Sequence, residues 1–341
     1  MLYVTTRSHA DFYTAHRALN ESHGPDGGLY LPMRMPVYTE EKIRQLRTKS
    51  FFQNAAEILN LFFSADISDW DVKICFGRSP VHFSEAGPRI TVAEFWHNMD
   101  FSYQDVSCRL YAKMTGREGS QPQGWAQIAI RIAALFGLFG EQGLPTAMQL
   151  DFVVPADDFA IPMALWYARQ MGLPIGRILC ACNDSSAVWD LIQRGSIQTG
   201  NPSIYTEGPE QTYPVPDELE RLICCTLGTQ EVLRFDQVRR DKGVYQLSRE
   251  AMKTLSRGLF AGVVGSDRVS NVVSSVYKTQ QYIMDPGTAI AYGCLQDYRA
   301  RTRESRYTLL LSDRSPLLFE KETAQALGIS REKLRTLTGG M

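Results

Sequence analysis

The sequence predicts an α/β protein built on a mostly parallel sheet covered by helices. Three observations carry this expectation. From Ala147 onward, apolar runs of strand length alternate with helical segments: Met148–Val154 and Arg177–Cys182 read as strands, Phe159–Met171 and Ser185–Arg194 as helices. These strands are apolar along most of their length rather than at every second residue, which is the pattern of strands buried on both faces. Capping residues sit where the helical periodicity begins and ends, with Gly195 closing one helix.

Taken in order, Pro25-Asp26-Gly27-Gly28 is a turn with two positions free to take positive φ, leading into a short strand at Leu29-Tyr30-Leu31. Tyr38-Thr39-Glu40-Glu41 starts a helix, with threonine as N-cap and acids in the first turn. Gln53–Phe63 carries Ala56, Ile58, Leu59, Leu61 and Phe62 as its apolar residues, and Asp69–Cys75 begins a further helix. Val106–Met114 is helical, and Thr115–Gln123 is a polar loop rich in Gly, Ser and Gln. Gly124–Leu138 is a strongly apolar helix interrupted by Arg131. Thr206–Pro216, with its prolines and glycine, is expected to be an exposed loop. Tyr307–Leu311 is a last strand, and Pro316–Leu327 a last helix.

A chain of 341 residues is long enough for two domains and a large core. A net charge of −1 steers it towards neither nucleic acid nor an anionic membrane. Its apolar runs are too short to span a bilayer, and Met1-Leu2-Tyr3-Val4 lacks the pattern of a signal peptide, so a cytoplasmic location is expected. The seven cysteines form no Cys-x-x-Cys pair and lie mostly in apolar surroundings, as buried thiols do. His9, His16 and His23 repeat at seven residues, two helical turns apart and too far to share one ion. No metal site is expected.

Several stretches resemble threonine synthase, a pyridoxal-phosphate (PLP) enzyme of fold type II. They are Tyr3-Val4-Thr5-Thr6-Arg7, the run Gly24–Pro32, Glu94–Asp105, Gly172-Leu173-Pro174-Ile175, Gly200-Asn201-Pro202-Ser203 and Asp285-Pro286-Gly287-Thr288-Ala289. The resemblance implies a threonine-synthase-like (tryptophan synthase β-like) fold in three parts. These are an amino-terminal region at 1–92, a remnant of the smaller cofactor-side domain at 93–123, and a large α/β domain at 124–341. The family's S-G-D-T-G substrate loop occurs nowhere in the chain, so the smaller domain is expected to be largely deleted.

The family segment E-L-F-H-G-P-T-L-A-F-K-D corresponds to Glu94–Asp105, E-F-W-H-N-M-D-F-S-Y-Q-D, which puts Gln104 at the position of the PLP-binding lysine. A carboxamide has no nucleophilic amine. The family's phosphate turn, G-N-F-G followed by N or D, corresponds to Ala156-Asp157-Asp158-Phe159-Ala160. A helix N-terminus favours an anion by at most about 2 kcal/mol. A carboxylate about 4 Å from a phosphate costs roughly 4 kcal/mol per charge at an effective dielectric near 20. Asp157 and Asp158 also suit plain helix N-capping. Asp313 stands near the family's pyridine-nitrogen partner, and Gly287 where the family has histidine.

The expectation is therefore a threonine-synthase-like protein without PLP as cofactor and without PLP catalysis, which binds an amino-acid-like ligand or a partner protein. Thr206–Pro216 and Thr115–Gln123 are its candidate contact loops. The alternative is a repurposed, PLP-independent enzyme acting on a small or phosphorylated amino acid. The resemblance would bring His97, Asp105, Asp157, Asp158, Asp313 and Arg314 to one cleft for acid/base chemistry. For each of these a structural role is preferred over a catalytic one. An active threonine synthase acting on O-phosphohomoserine is disfavoured by the residues.

Overall fold

The computed structural model describes residues 1–98, 100–144, 149–156, 159–183, 186–200 and 215–338. At the amino end, β1 (Leu2–Thr5), β2 (Tyr13–Thr14) and β3 (Tyr30–Pro32) form a small antiparallel sheet, with α1 (Ala15–Asn20) after β2. Gly27 takes positive φ (75°) in the turn before β3, as the Pro-Asp-Gly-Gly run predicts. His16 alone of the three amino-terminal histidines lies in α1, so they share no helical face.

Helices α2 (Glu40–Gln45), α3 (Phe51–Phe63) and α4 (Asp69–Phe76) follow. Thr39 caps α2 as expected, while Ser50 and Ser68 close full capping boxes on α3 and α4. The chain then makes a hairpin, β4 (His82–Gly87) and β5 (Ile90–Glu94), enters α5 (Tyr103–Thr115), and passes through the polar loop into α6 (Trp125–Gly140).

Helix α6 is the centre of the molecule. Every residue from Trp125 to Gly140 except Gln127 is buried, so this helix is apolar all round because it is enclosed all round. Gly137 is what lets α3 approach: a Cβ there would lie 2.7 Å from the buried ring of Phe51.

Beyond α6 the alternation predicted from sequence is found: β6 (Leu150–Pro155), α7 (Ala160–Gln170) and β7 (Ile175–Cys182). The helix expected at 185–194 is instead one turn, α8 (Ala187–Trp189), that widens into a π-turn at Asp190–Arg194 before Gly195 closes it at φ 71°. Then come β8 (Ser196–Gln198), α9 (Glu218–Leu227), α10 (Thr229–Arg240), β9 (Val244–Gln246), α11 (Arg249–Leu255) and β10 (Leu259–Val263). The chain ends with α12 (Ser266–Gln280), α13 (Pro286–Thr302), β11 (Thr308–Ser312), α14 (Glu320–Leu327) and α15 (Arg331–Thr338). Pro316–Phe319, expected to begin the last helix, is a separate 3₁₀ turn ahead of α14.

The main sheet has six strands in the order β10-β7-β6-β11-β5-β4, all parallel except the edge strand β4. It runs across the divisions at 92 and 124, because β5 pairs with β11. Among the described residues no helix is long and apolar enough to cross a membrane.

Gly137→Ala tests the α3–α6 approach. Helix propensity alone favours alanine by about 1 kcal/mol. Overpacking against Phe51 opposes it at roughly 1–3 kcal/mol, and the ring, itself buried against Phe52 and Phe76, has little room to yield. A net loss of about 1–2 kcal/mol in urea unfolding is expected; unchanged or raised stability would show that the two helices have slack.

Candidate functional site

A cleft of about 490 Å³ opens at the carboxyl ends of the parallel strands, where Pro155 ends β6 and Leu311, Asp313 and Arg314 lie at and just beyond the end of β11. Open α/β sheets bind ligands in the crevice outside the carboxyl ends of their strands. Three helices also start at the cleft: α5 with Tyr103 and Gln104, α7 with Ala160 and Ile161, and α13 with Pro286 and Gly287. Each directs the positive end of its dipole that way.

Two of these starts have side-chain caps. Ser102 accepts from the Gln104 N–H at 3.1 Å. Asp285 accepts from the N–H groups of Gly287 (2.8 Å) and Thr288 (3.2 Å), from the Thr288 hydroxyl, and from the Ser312 hydroxyl at 3.2 Å. Burial pushes the Asp285 carboxyl above its ordinary range, even though these hydrogen bonds pull the other way. The third helix, α7, follows Phe159, a buried residue held at positive φ (61°), and such strain in a non-glycine residue clusters at functional sites.

Arg131 enters the cleft from the middle of α6. Its guanidinium makes a bidentate pair with Asp313 at 3.0 and 2.5 Å and lies 3.4 Å from the centroid of the Tyr103 ring. Burial raises the Tyr103 hydroxyl to about 12. Arg314 is different. It is exposed, lines the cleft, and makes no ion pair or hydrogen bond through its side chain to any described residue. Gln104 also faces the cleft from the first turn of α5, and no lysine is among the described lining residues.

Of the six ionisable residues expected together, Asp313 and Arg314 line the cleft. His97 and Asp105 do not. Asp105 is an exposed first-turn acid of α5. His97 is turned to Glu94, with Nε2 2.6 Å from Oε2, and it stacks on Trp96. Asp157 and Asp158 lie outside the described residues, as does most of Thr206–Pro216. The other expected contact loop, Thr115–Gln123, brings Gln121 and Pro122 to the cleft.

Burial raises the Glu94 carboxyl. Hydrogen bonds from His97 and Tyr282, with the nearby imidazoles, more than offset it and leave the group below its ordinary value. His82 also reaches Glu94, with Nδ1 3.2 Å from Oε2. Sequence reasoning missed His82, because only the hairpin register brings it near, and it gave Arg131 no role. Arg131 carried a signal, being the one charge in a helix otherwise apolar enough to be wholly enclosed.

With the geometry in hand, comparison with known proteins is direct. Residues 2–79 match the family model for the threonine synthase N terminus. The chain is 21% identical to threonine synthase of Saccharomyces cerevisiae over 221 residues, covering 60% of this chain and 43% of that one. It is 23% identical to threonine synthase-like 1 of Homo sapiens over 168 residues, 48% of this chain and 23% of that one. Both matches thus span less than half of the relative's length. Threonine synthase-like 2 of Pongo abelii is 20% identical over 439 aligned positions, covering 97% of this chain and 90% of that one. The PLP-bound threonine synthase of Brucella melitensis superposes with a TM-score of 0.84 at 21% identity, over 97% of this chain and 92% of that one. The yeast enzyme gives 0.81 at 17% identity, over 99% and 94%.

These findings correct one expectation. Gln104 and the altered phosphate turn imply a chain without PLP as cofactor, yet the fold here is shared with a protein whose structure holds PLP. The physical reason is that a lysine is one anchor among several. Helix starts and strand ends are built by backbone and persist when a side chain changes. The described lining suits the anionic part of such a molecule, through Arg314 and the helix starts; it offers no amine for covalent attachment.

Arg131→Ala would leave Asp313 half-enclosed without its bidentate partner, at a cost of about 2–4 kcal/mol, somewhat below a fully buried pair because Asp313 is 23% exposed. The double variant Arg131→Met with Asp313→Leu should recover part of that loss. Urea midpoints at constant slope measure both; equal losses in the single and double variants would refute the orphaned-charge account.

Proposed function

We propose that this chain, a divergent member of the threonine synthase family, is a binding protein whose cleft takes a small amino-acid-like anion and carries out no catalysis through a chain-bound Schiff base. One observation carries the reading. At the strand ends, Arg314, whose side chain has no partner among the described residues, lines the same cleft as the Arg131–Asp313 pair, and the described lining lacks lysine. An arginine with its donors unspent binds a carboxylate or phosphate in bidentate fashion. The neighbouring Asp313 carboxylate, 23% exposed, is placed to receive an ammonium group on the same ligand. The replacement read from the family pattern, Gln104 for lysine, supports the absence of amine chemistry.

The competing reading, an acid/base enzyme built on six ionisable residues, loses support because His97 and Asp105 face away from the cleft. His97 is committed to Glu94 at 2.6 Å, and Asp105 points to solvent from the first turn of α5.

Calorimetric titration with L-threonine, O-phospho-L-homoserine and PLP tests the proposal. Saturable binding of at least one of these is expected, weakened about tenfold or more in Arg314→Ala, the loss of one charge-assisted contact of roughly 1.5–3 kcal/mol. Binding that is indifferent to Arg314 would place the ligand elsewhere. Borohydride treatment that leaves PLP covalently joined to the chain, or threonine formed from O-phospho-L-homoserine, would refute the non-catalytic reading.

A further inference from the structure

We propose that His82, Glu94 and His97 form a binding site for one divalent transition-metal ion of the zinc class, at the edge of the main sheet and separate from the cleft. The register of the hairpin builds it. In the antiparallel pair of β4 and β5, His82 stands directly opposite Glu94, and directly opposed residues point to the same face with Cβ atoms about 4.5–5.5 Å apart. The chain leaves β5 after Glu94 and returns His97 to the same point three residues later. The three donor atoms lie within 4.8 Å of one another, with Glu94 Oε2 3.2 Å from His82 Nδ1 and 2.6 Å from His97 Nε2. Two imidazoles and a carboxylate around a zinc ion, with bonds of about 2.0–2.2 Å, require donors about 3.3 Å apart. Small rotations of the two imidazoles reach that spacing.

Three further features go beyond a chance meeting of side chains. The Glu94 carboxylate is 1% exposed, and among the described residues it has no lysine or arginine partner; the two histidines and the Tyr282 hydroxyl are its neighbours. Burying a carboxylate without a cation is costly, and a bound ion supplies one. The ligands are also held from behind: Trp96 stacks on His97 at 4.0 Å between ring centroids, and its indole N–H donates to Ser312 Oγ at 3.1 Å. The stacked indole fixes the plane of the His97 ring. Finally, the His82 side chain is 57% exposed, so one side of the cluster is open to solvent for entry and for a fourth, water ligand. Nitrogen donors favour zinc, nickel, copper or cobalt over magnesium or calcium. None of the three residues lines the cleft.

The ion would tie the edge strand β4 to the segment that runs from β5 into α5. That segment ends at Ser102 and Gln104, so the site is a clamp on one wall of the cleft.

The test uses the full chain, stripped with EDTA and titrated with zinc chloride in a calorimeter, with cobalt(II) absorption as a second readout. Saturation at one ion per chain is expected, with a tetrahedral cobalt spectrum and a zinc-dependent rise in Tm. Changing partners behind metal ligands costs 10–100-fold in affinity, so loss of a ligand in His82→Ala or Glu94→Gln should weaken binding by at least about 100-fold. His82 is largely exposed, so His82→Ala carries the test alone if Glu94→Gln does not fold. Zinc bound equally by wild type and His82→Ala, magnesium bound as tightly as zinc, or no saturable binding would each overturn the proposal.

Discussion

The structure depends most on the pairing of β11 with β5 and β6. This strand arrives more than 200 residues after β5, yet it occupies the middle of the sheet, with Leu309 opposite Thr91 on one side and Phe152 on the other. Without it the sheet would be two pieces, β10-β7-β6 and β5-β4. Register follows from burial: all five residues of β11 are buried, and a slip of one residue would reverse every side chain between the faces of the sheet. The same register delivers Ser312 opposite Glu94 and releases Asp313 and Arg314 at the mouth of the cleft. Scaffold and site are thus products of one alignment.

Polar groups around that strand end form a continuous network. Trp96 donates to Ser312, Ser312 donates to Asp285, and Asp285 caps α13. One residue further on, Asp313 takes the guanidinium of Arg131, which is itself seated on Tyr103 in the first turn of α5. The network joins the starts of α5 and α13 to the end of β11 and to α6, so the walls of the cleft share partners. In low-dielectric surroundings such networks are rigid when satisfied and costly when broken. The Arg314 side chain lines the cleft and joins this network through no hydrogen bond or ion pair among the described residues.

Much of this architecture was legible in the sequence. Strands β6 and β7 were visible as unbroken apolar runs because both of their faces are covered, and Thr39 marked the start of α2 because an N-cap needs a side-chain oxygen. Strand β4 was not legible. It is an edge strand whose residues are mostly exposed or half-exposed, so no apolar alternation marks it, and with it the position of His82 was hidden. Helix α12 did carry a signal, Val269, Val272, Val273 and Val276 at helical spacing, within a segment otherwise rich in serine and charge. Of the six ionisable residues expected together, Asp105 lies outside the cleft because of a local detail that the family pattern cannot supply. Gln104 and Asp105 are neighbours on α5, and one helical step is about 100°, so when Gln104 faces the cleft Asp105 faces solvent.

The same geometry separates what a side-chain change removes from what it leaves. Gln104 sits at a helix start whose N–H is capped by Ser102 and whose next turn is anchored by Val106 and Leu110 in the core. Cap and packing there are made by other residues, so the side chain at 104 is held at the cleft without contributing to either. The cleft has three helix starts and two arginines, while its described lining contains no lysine amine. Among the described lining residues, an anion entering it meets Arg131, already paired with Asp313, and Arg314, which has no described side-chain partner. Affinity can thus come from Arg314 without dismantling the Arg131–Asp313 pair that holds the wall.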